Sequence, residues 1–123
     1  HLIRAESLFY FKNMAESKLE KPTLWVFETG QLAWTASAIE GKIAHDTQII
    51  ELENSVTLNN EQKSTRLTTS AMTITPTNKT AQSNQYTLIV NSESRIEAQA
   101  MHADLSSNII TMKSKVKGYY AKP

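Results

Sequence analysis

The hexapeptide Trp34-Thr35-Ala36-Ser37-Ala38-Ile39 recurs as Leu67-Thr68-Thr69-Ser70-Ala71-Met72 and again as Ile96-Glu97-Ala98-Gln99-Ala100-Met101. In each copy a large apolar residue, a small residue and an alanine hold alternate positions, which a strand turns to one face. The parity then breaks. Ile39, Met72 and Met101 follow the alanine directly, and the apolar pattern runs on through Ile74 after Met72, and through Ala103 and Leu105 after Met101. One apolar face survives such a switch only where an extra residue bends the strand, as a β-bulge or a corner does. The same bend is therefore expected at the Ala-Ile or Ala-Met step of each copy.

Turn signals fall at Thr29-Gly30, His45-Asp46, Asn59-Asn60, Thr77-Asn78, Asn91-Ser92 and Ser106-Ser107-Asn108. The segments between them are rich in Thr, Val, Ile, Tyr and Trp, and none sustains apolar residues at i, i+3, i+4 and i+7. This is a β-meander. Ala5 to Lys18 holds helix formers, but Leu8-Phe9-Tyr10-Phe11 within it reads as strand. An extended arm of about 12 residues would run roughly 40 Å, twice the usual strand, so each arm must bend. The hexapeptides supply the bend on three arms, and Asn54-Ser55, Ser83-Asn84 and Ser114-Lys115 supply it on the returning ones. Corners stacked in register fold the meander into two facing sheets, an all-β, half-open antiparallel sandwich that is V-shaped in section. Pro22 opens the run Thr23-Leu24-Trp25-Val26-Phe27 and Pro76 sits beside a turn, both places where a missing N–H is tolerated.

Trp34, Ile50, Leu52, Val56, Leu58, Leu67, Met72, Ile74, Tyr86, Leu88, Val90, Ile96, Met101, Leu105, Ile110, Met112 and Val116 form the expected interior. It can be a closed core, or the lining of a groove in which Ala36, Ala38, Thr69, Ala71, Ala98 and Ala100 leave room. The 123 residues make one domain, 1–123, and a net charge of +1 with no basic run gives no nucleic-acid signal. The chain has no cysteine and no apolar stretch near the roughly 20 residues of a membrane span. It begins at His1 within a repeat unit, so a preceding strand is expected upstream. His102 and Asp104 would share a strand face and His45-Asp46 a turn, but no nucleophile motif, phosphate loop, cofactor motif or spaced metal ligands accompany them. No enzyme and no cofactor are expected.

Leu19-Glu20-Lys21-Pro22-Thr23-Leu24, Trp34-Thr35-Ala36-Ser37-Ala38, Leu67-Thr68-Thr69-Ser70-Ala71-Met72-Thr73-Ile74 and Ser114-Lys115-Val116-Lys117-Gly118-Tyr119 occur in the order and spacing of one family. The chain resembles, over essentially its whole length, the LptC family of lipopolysaccharide-export bridge proteins, and more distantly LptA and the organic-solvent-tolerance-like β-domains. Two positions depart from the family pattern. Ala98 stands where a glycine is often found, and Asn54-Ser55 stands where a glycine often precedes Val56.

The resemblance implies a periplasmic β-jellyroll tethered to the inner membrane by an N-terminal helix absent from this chain. Such a domain receives lipopolysaccharide from an LptBFG-type ATP-driven transporter at its N-terminal edge and passes it to an LptA-like β-jellyroll. On that reading the interior is a lipid groove lined by Trp34, Ala36, Ile50, Leu52, Val56, Leu58, Leu67, Met72, Ile74, Tyr86, Leu88, Ile96, Met101, Met112 and Val116. One 12-carbon chain buried at about 0.8 kcal/mol per CH₂ contributes near 10 kcal/mol, and several would exceed the roughly −20 kcal/mol limit of noncovalent binding. A relay must therefore bury its lipid only in part, and Met72, Met101 and Met112 suit a disordered ligand.

The last strand, Lys115-Val116-Lys117-Gly118-Tyr119-Tyr120, is expected to be an edge onto which a partner adds its own strand. Lys113, Lys115 and Lys117 either guard that edge or meet phosphates, and Lys12, Lys18 and Lys21 are expected to be solvated. The competing function is a noncatalytic β-sandwich that binds glycan or protein in adhesion. Aromatics on one exposed flat face would mark it, whereas methionines and alanines between sheets mark lipid.

Overall fold

The computed structural model describes the backbone of residues 2–4, 7–10 and 15–120, and side chains from 15 to 118. Ala5, Phe11 and Lys12 lie outside the described residues. The strands are β1 (Leu2–Arg4), β2 (Ser7–Tyr10), β3 (Glu16–Glu20), β4 (Thr23–Glu28), β5 (Gln31–Ser37), β6 (Glu40–Ala44), β7 (Ile50–Asn60), β8 (Thr65–Thr75), β9 (Thr80–Ser83), β10 (Thr87–Val90), β11 (Ser94–Ala98), β12 (Ala100–Asp104), β13 (Ile109–Lys113) and β14 (Lys117–Tyr120). All pairings are antiparallel and no helix is present among the described residues.

The strands form one open sheet folded along its middle into two leaves. One leaf runs β1-β4-β5-β7-β8-β10-β11-β14, and the other runs β2-β3-β6-β7-β8-β9-β12-β13. The long strands β7 and β8 cross the fold and belong to both, the other arms breaking into one strand per leaf. The edges do not close on each other, so this is a β-jellyroll sandwich and not a barrel.

The corners lie side by side and hydrogen-bond across arms. Lys21 N donates to Ile39 O at 2.8 Å, Ile39 N to Asn54 O at 3.0 Å, and Gln99 N to Ser114 O at 3.0 Å. The returning arms bend through left-handed backbone, with positive φ at Lys21, at Asn54 and Ser55, and at Ser114 and Lys115. Left-handed backbone is what glycine adopts without penalty. That is the physical reason a glycine suits the position before Val56.

The bend falls one residue earlier than the Ala-Met step in two copies. The inward parity jumps from Thr69 to Met72 and from Ala98 to Met101, so Ala71 and Ala100 are half-buried off the inner face and leave no room within it. In the first copy it jumps from Ala38 to Gly41 instead. The ladder explains the offset, for Leu58 stands opposite both Ala36 and Leu67, and Ile89 opposite both Leu67 and Ile96. Ala36 is thus the equivalent of Leu67 and Ile96, and the likeness of the hexapeptides is shifted by two positions from the structural repeat. Ile39 takes the place of Ser70 and Gln99 at the outside of the bend, where it is 49% exposed.

Inside, Ile43, Ile50, Ile74, Ala81, Ala103 and Ile110 stand abreast across one leaf. Leu24, Ala36, Leu58, Leu67, Ile89 and Ile96 stand abreast across the other. Gly41 is required by close packing, since a Cβ there would lie 3.1 Å from Pro22 Cγ and 3.2 Å from Leu52 Cδ2. Strand ends are fastened by side chains. Asn60 Oδ1 accepts from the N–H groups of Gln62 and Lys63, Asn91 Oδ1 from Glu93 and Ser94, and Asp104 Oδ1 from Ser106 and Ser107. The turn after β7 accordingly falls at residues 61–64, one step beyond Asn59-Asn60.

Candidate functional site

Most of the expected lining converges between the leaves. Trp34, Ala36, Ile50, Leu52, Val56, Leu58, Leu67, Met72, Ile74, Met101 and Leu105 are buried in one cluster, with Ile96, Ile110 and Met112 half-buried against it. Met101 faces Met112 across the β12–β13 ladder, next to Ala98 and Ala103. Met72, Met101 and Met112, with Ala36, Ala38, Ala81 and Ala103, thus lie between the sheets, whereas Ala71 and Ala100 do not. The exposed aromatic side chains among the described residues, Phe27 and Tyr86, are on different strands and form no platform.

Strand β10 has the opposite parity to that expected. Tyr86 is 46% exposed, Val90 is exposed, and Leu88 is half-buried on the outer face, while Thr87 and Ile89 point inward. The cause is the corner at residues 84–86. Thr69 Oγ1 donates to Tyr86 O at 2.9 Å and contacts Ser83 Oγ at 2.9 Å, and Ser83 Oγ accepts from Gln85 N. Thr87 Oγ1 donates to Gln85 O. Three hydroxyl side chains, two carbonyls and the Gln85 N–H, satisfied among themselves, make an interior Thr87 tolerable, and the strand is set by them and not by its larger apolar residues. The Glu97 carboxylate beside the Tyr86 hydroxyl raises the pKa of that phenol.

Val116 is 50% exposed because Ser114 and Lys115 hold the chain in a left-handed bend. Lys115 and Val116 therefore precede the edge strand, which comprises Lys117, Gly118, Tyr119 and Tyr120 paired on one side to β11. Lys18, Lys21, Lys113, Lys115 and Lys117 are exposed. Leu88 and Val90 line a shallow depression of 670 Å³ on the outer face with Arg66 and Thr68.

The leaves meet at a place the sequence did not mark. A register shift after Val26 leaves Ala33 as an extra residue in β5, and the bulge directs Trp34 across the sandwich. Its indole Nε1 donates to Leu105 O at 2.9 Å. Lys79 Nζ lies 2.8 Å from Glu28 Oε1, and Asn60 Nδ2 donates to Asn108 Oδ1 at 3.2 Å. Lys79 and Leu105 also line an opening of 110 Å³ together with Leu24, Val26 and Phe27 from one leaf and Ile74 and Pro76 from the other. That is below the roughly 300 Å³ at which small-molecule sites begin. Alternation could not single out this wall, since Leu24-Trp25-Val26-Phe27 is apolar on both parities.

His102 and Asp104 carry no catalytic geometry. The Asp104 carboxylate is committed to its turn, where the Ser106 hydroxyl and the Ser107 N–H hold its pKa below the ordinary value. No cluster of potential metal ligands occurs among the described residues.

The interior is a closely packed apolar cluster between two sheets whose described edge strands do not pair with each other. Residues 1–121 match the model described as "Lipopolysaccharide-assembly, LptC-related". The chain belongs to the LptC family. Its members are noncatalytic components of lipopolysaccharide transport in the periplasm, and the chain has a role in that transport. The fold is also similar to the crystal structure of LptH from Pseudomonas aeruginosa, described as the LptA homologous periplasmic component of the lipopolysaccharide transport device. The TM-score is 0.75 at 7% identity, over 99% of this chain and 94% of that one. A sequence comparison with curated proteins finds no match.

Proposed function

We propose that this LptC-family domain is a bridge that takes lipopolysaccharide from an LptBFG-type inner-membrane transporter at the β1/β2 edge and passes it to an LptA-like β-jellyroll at the β13/β14 edge. An N-terminal helix upstream of His1 holds it at the inner membrane. The observation that carries this reading is the open sandwich itself, whose methionine- and alanine-lined interior lies between leaves that end in unclosed edges. The acyl chains lodge along Trp34, Leu52, Leu58, Leu67, Met72, Ile96, Met101 and Met112. Because Trp34, Val56, Leu58 and Leu67 are fully buried, loading requires the leaves to part.

Mass spectrometry of the domain purified from lipopolysaccharide-containing envelopes tests this. Lipid A ions should accompany the protein and leave it when the LptA-type partner is added. Protein that carries no lipid and takes none from lipopolysaccharide micelles would sink the proposal.

A further inference from the structure

We infer that the opening beside β4 is the intake port for an amphiphile with an anionic headgroup, latched by the Glu28–Lys79 ion pair. This rests on the carrier reading and names the place and the trigger of loading. Apart from Lys79 the lining side chains are apolar and come from both leaves, and Leu24, Val26, Ile74 and Leu105 among them belong to the interior cluster, so widening this gap leads into it. At 110 Å³ it admits only the tip of a chain until the leaves part.

One cation stands on the rim, and its position is built. Lys79 N donates to Pro76 O, and Lys79 O accepts from Leu105 N at 2.8 Å, so the turn that carries the ammonium is tied to the leaf it guards. Its partner Glu28 ends β4 on the opposite leaf, 2.8 Å away. An arriving phosphate or carboxylate competes with Glu28 for the same ammonium. The exchange removes a contact between the leaves as the headgroup binds, while the chain slides past Phe27, which is 41% exposed at the port.

The test replaces Phe27, Tyr86 or Val116, one at a time, with a photo-crosslinking phenylalanine analogue and irradiates the full chain with lipopolysaccharide. Crosslinks should form from position 27 early in loading and not from 86. In parallel, Glu28→Gln and Lys79→Met are loaded with lipopolysaccharide and with its dephosphorylated form. Glu28→Gln should load both lipids faster, by up to about fivefold for loss of one exposed ion pair. Lys79→Met should match it for the dephosphorylated lipid yet bind lipopolysaccharide more weakly than the unaltered chain. Lipid bound with crosslinks from 116 and none from 27, or both substitutions acting alike on both lipids, overturns the port and leaves the carrier reading standing. No lipopolysaccharide bound by the unaltered chain overturns both.

Discussion

Asp104 shows how a single carboxylate ends a strand. Its Oδ1 accepts from Ser106 N at 3.0 Å, Ser106 Oγ at 2.8 Å and Ser107 N at 3.2 Å, all donors that favour the charged form and lower its pKa from 3.8. The folded pKa lies below the unfolded one, so the contribution is complete above the unfolded value and is lost as pH falls through the folded one. A carbon-detected NMR titration should find the Asp104 midpoint below that of an ordinary aspartate. Asp104→Asn, which keeps an acceptor oxygen but cannot titrate, should flatten the acid limb of thermal stability below about pH 4. An unshifted midpoint would show that these donors do not select the anion. Turn residues of this kind were legible because Asn, Asp and Ser act locally. Thr87 was not, because its partner Gln85 O and the Thr69–Ser83 pair come together only when the corner forms.

At the scale of the element, the corners decide which residues enter the sandwich. The sequence showed that a bend must exist, since apolar parity switches in every copy. It could not place the bend to the residue, because Ala71 and Ala100 look as suitable for a narrow interior as Thr69 and Ala98. Register settles the matter, with Ala100 opposite Lys113 and Met101 opposite Met112. Ala98 is fully buried and Ala100 only half-buried. Ala98→Arg should therefore cost several kcal/mol and unfold the domain at ambient temperature, since an unpaired charge would be forced between the leaves. Ala100→Arg should cost less than about 1 kcal/mol, in the range of surface substitutions. Urea denaturation of the two variants decides it, and equal losses would mean that the inner face continues through Ala100. The bulge at Ala33 was hidden for a related reason, since Leu32-Ala33-Trp34 is apolar throughout and leaves no alternation to break.

The whole molecule is a folded ribbon whose two ends are sheet edges, with β1 and β2 at one and β13 and β14 at the other. Each edge strand offers a row of N–H and C=O groups to a partner of the same fold, and affinity gained that way comes mainly from backbone. The proposed handover therefore has a signature that side-chain substitutions would miss. Lys115 and Val116 lie in the left-handed corner, so the strand to scan is Lys117, Gly118, Tyr119 and Tyr120, paired to Glu97, Ile96, Arg95 and Ser94. In an antiparallel ladder alternate residues direct their N–H toward the neighbour and away from it. Proline at an outward position removes a donor the partner needs but β11 does not, and it should weaken binding to an LptA-type protein while sparing thermal stability and lipid binding. Proline at an inward position removes a ladder bond worth about 1 kcal/mol and should lower the melting temperature by roughly 4 °C. Titration calorimetry with the partner and thermal unfolding of each variant should thus alternate out of phase along four successive residues. A uniform loss of stability, with no position at which binding alone is affected, would mean that β14 is covered in the assembled protein and that the bridge is built on another edge.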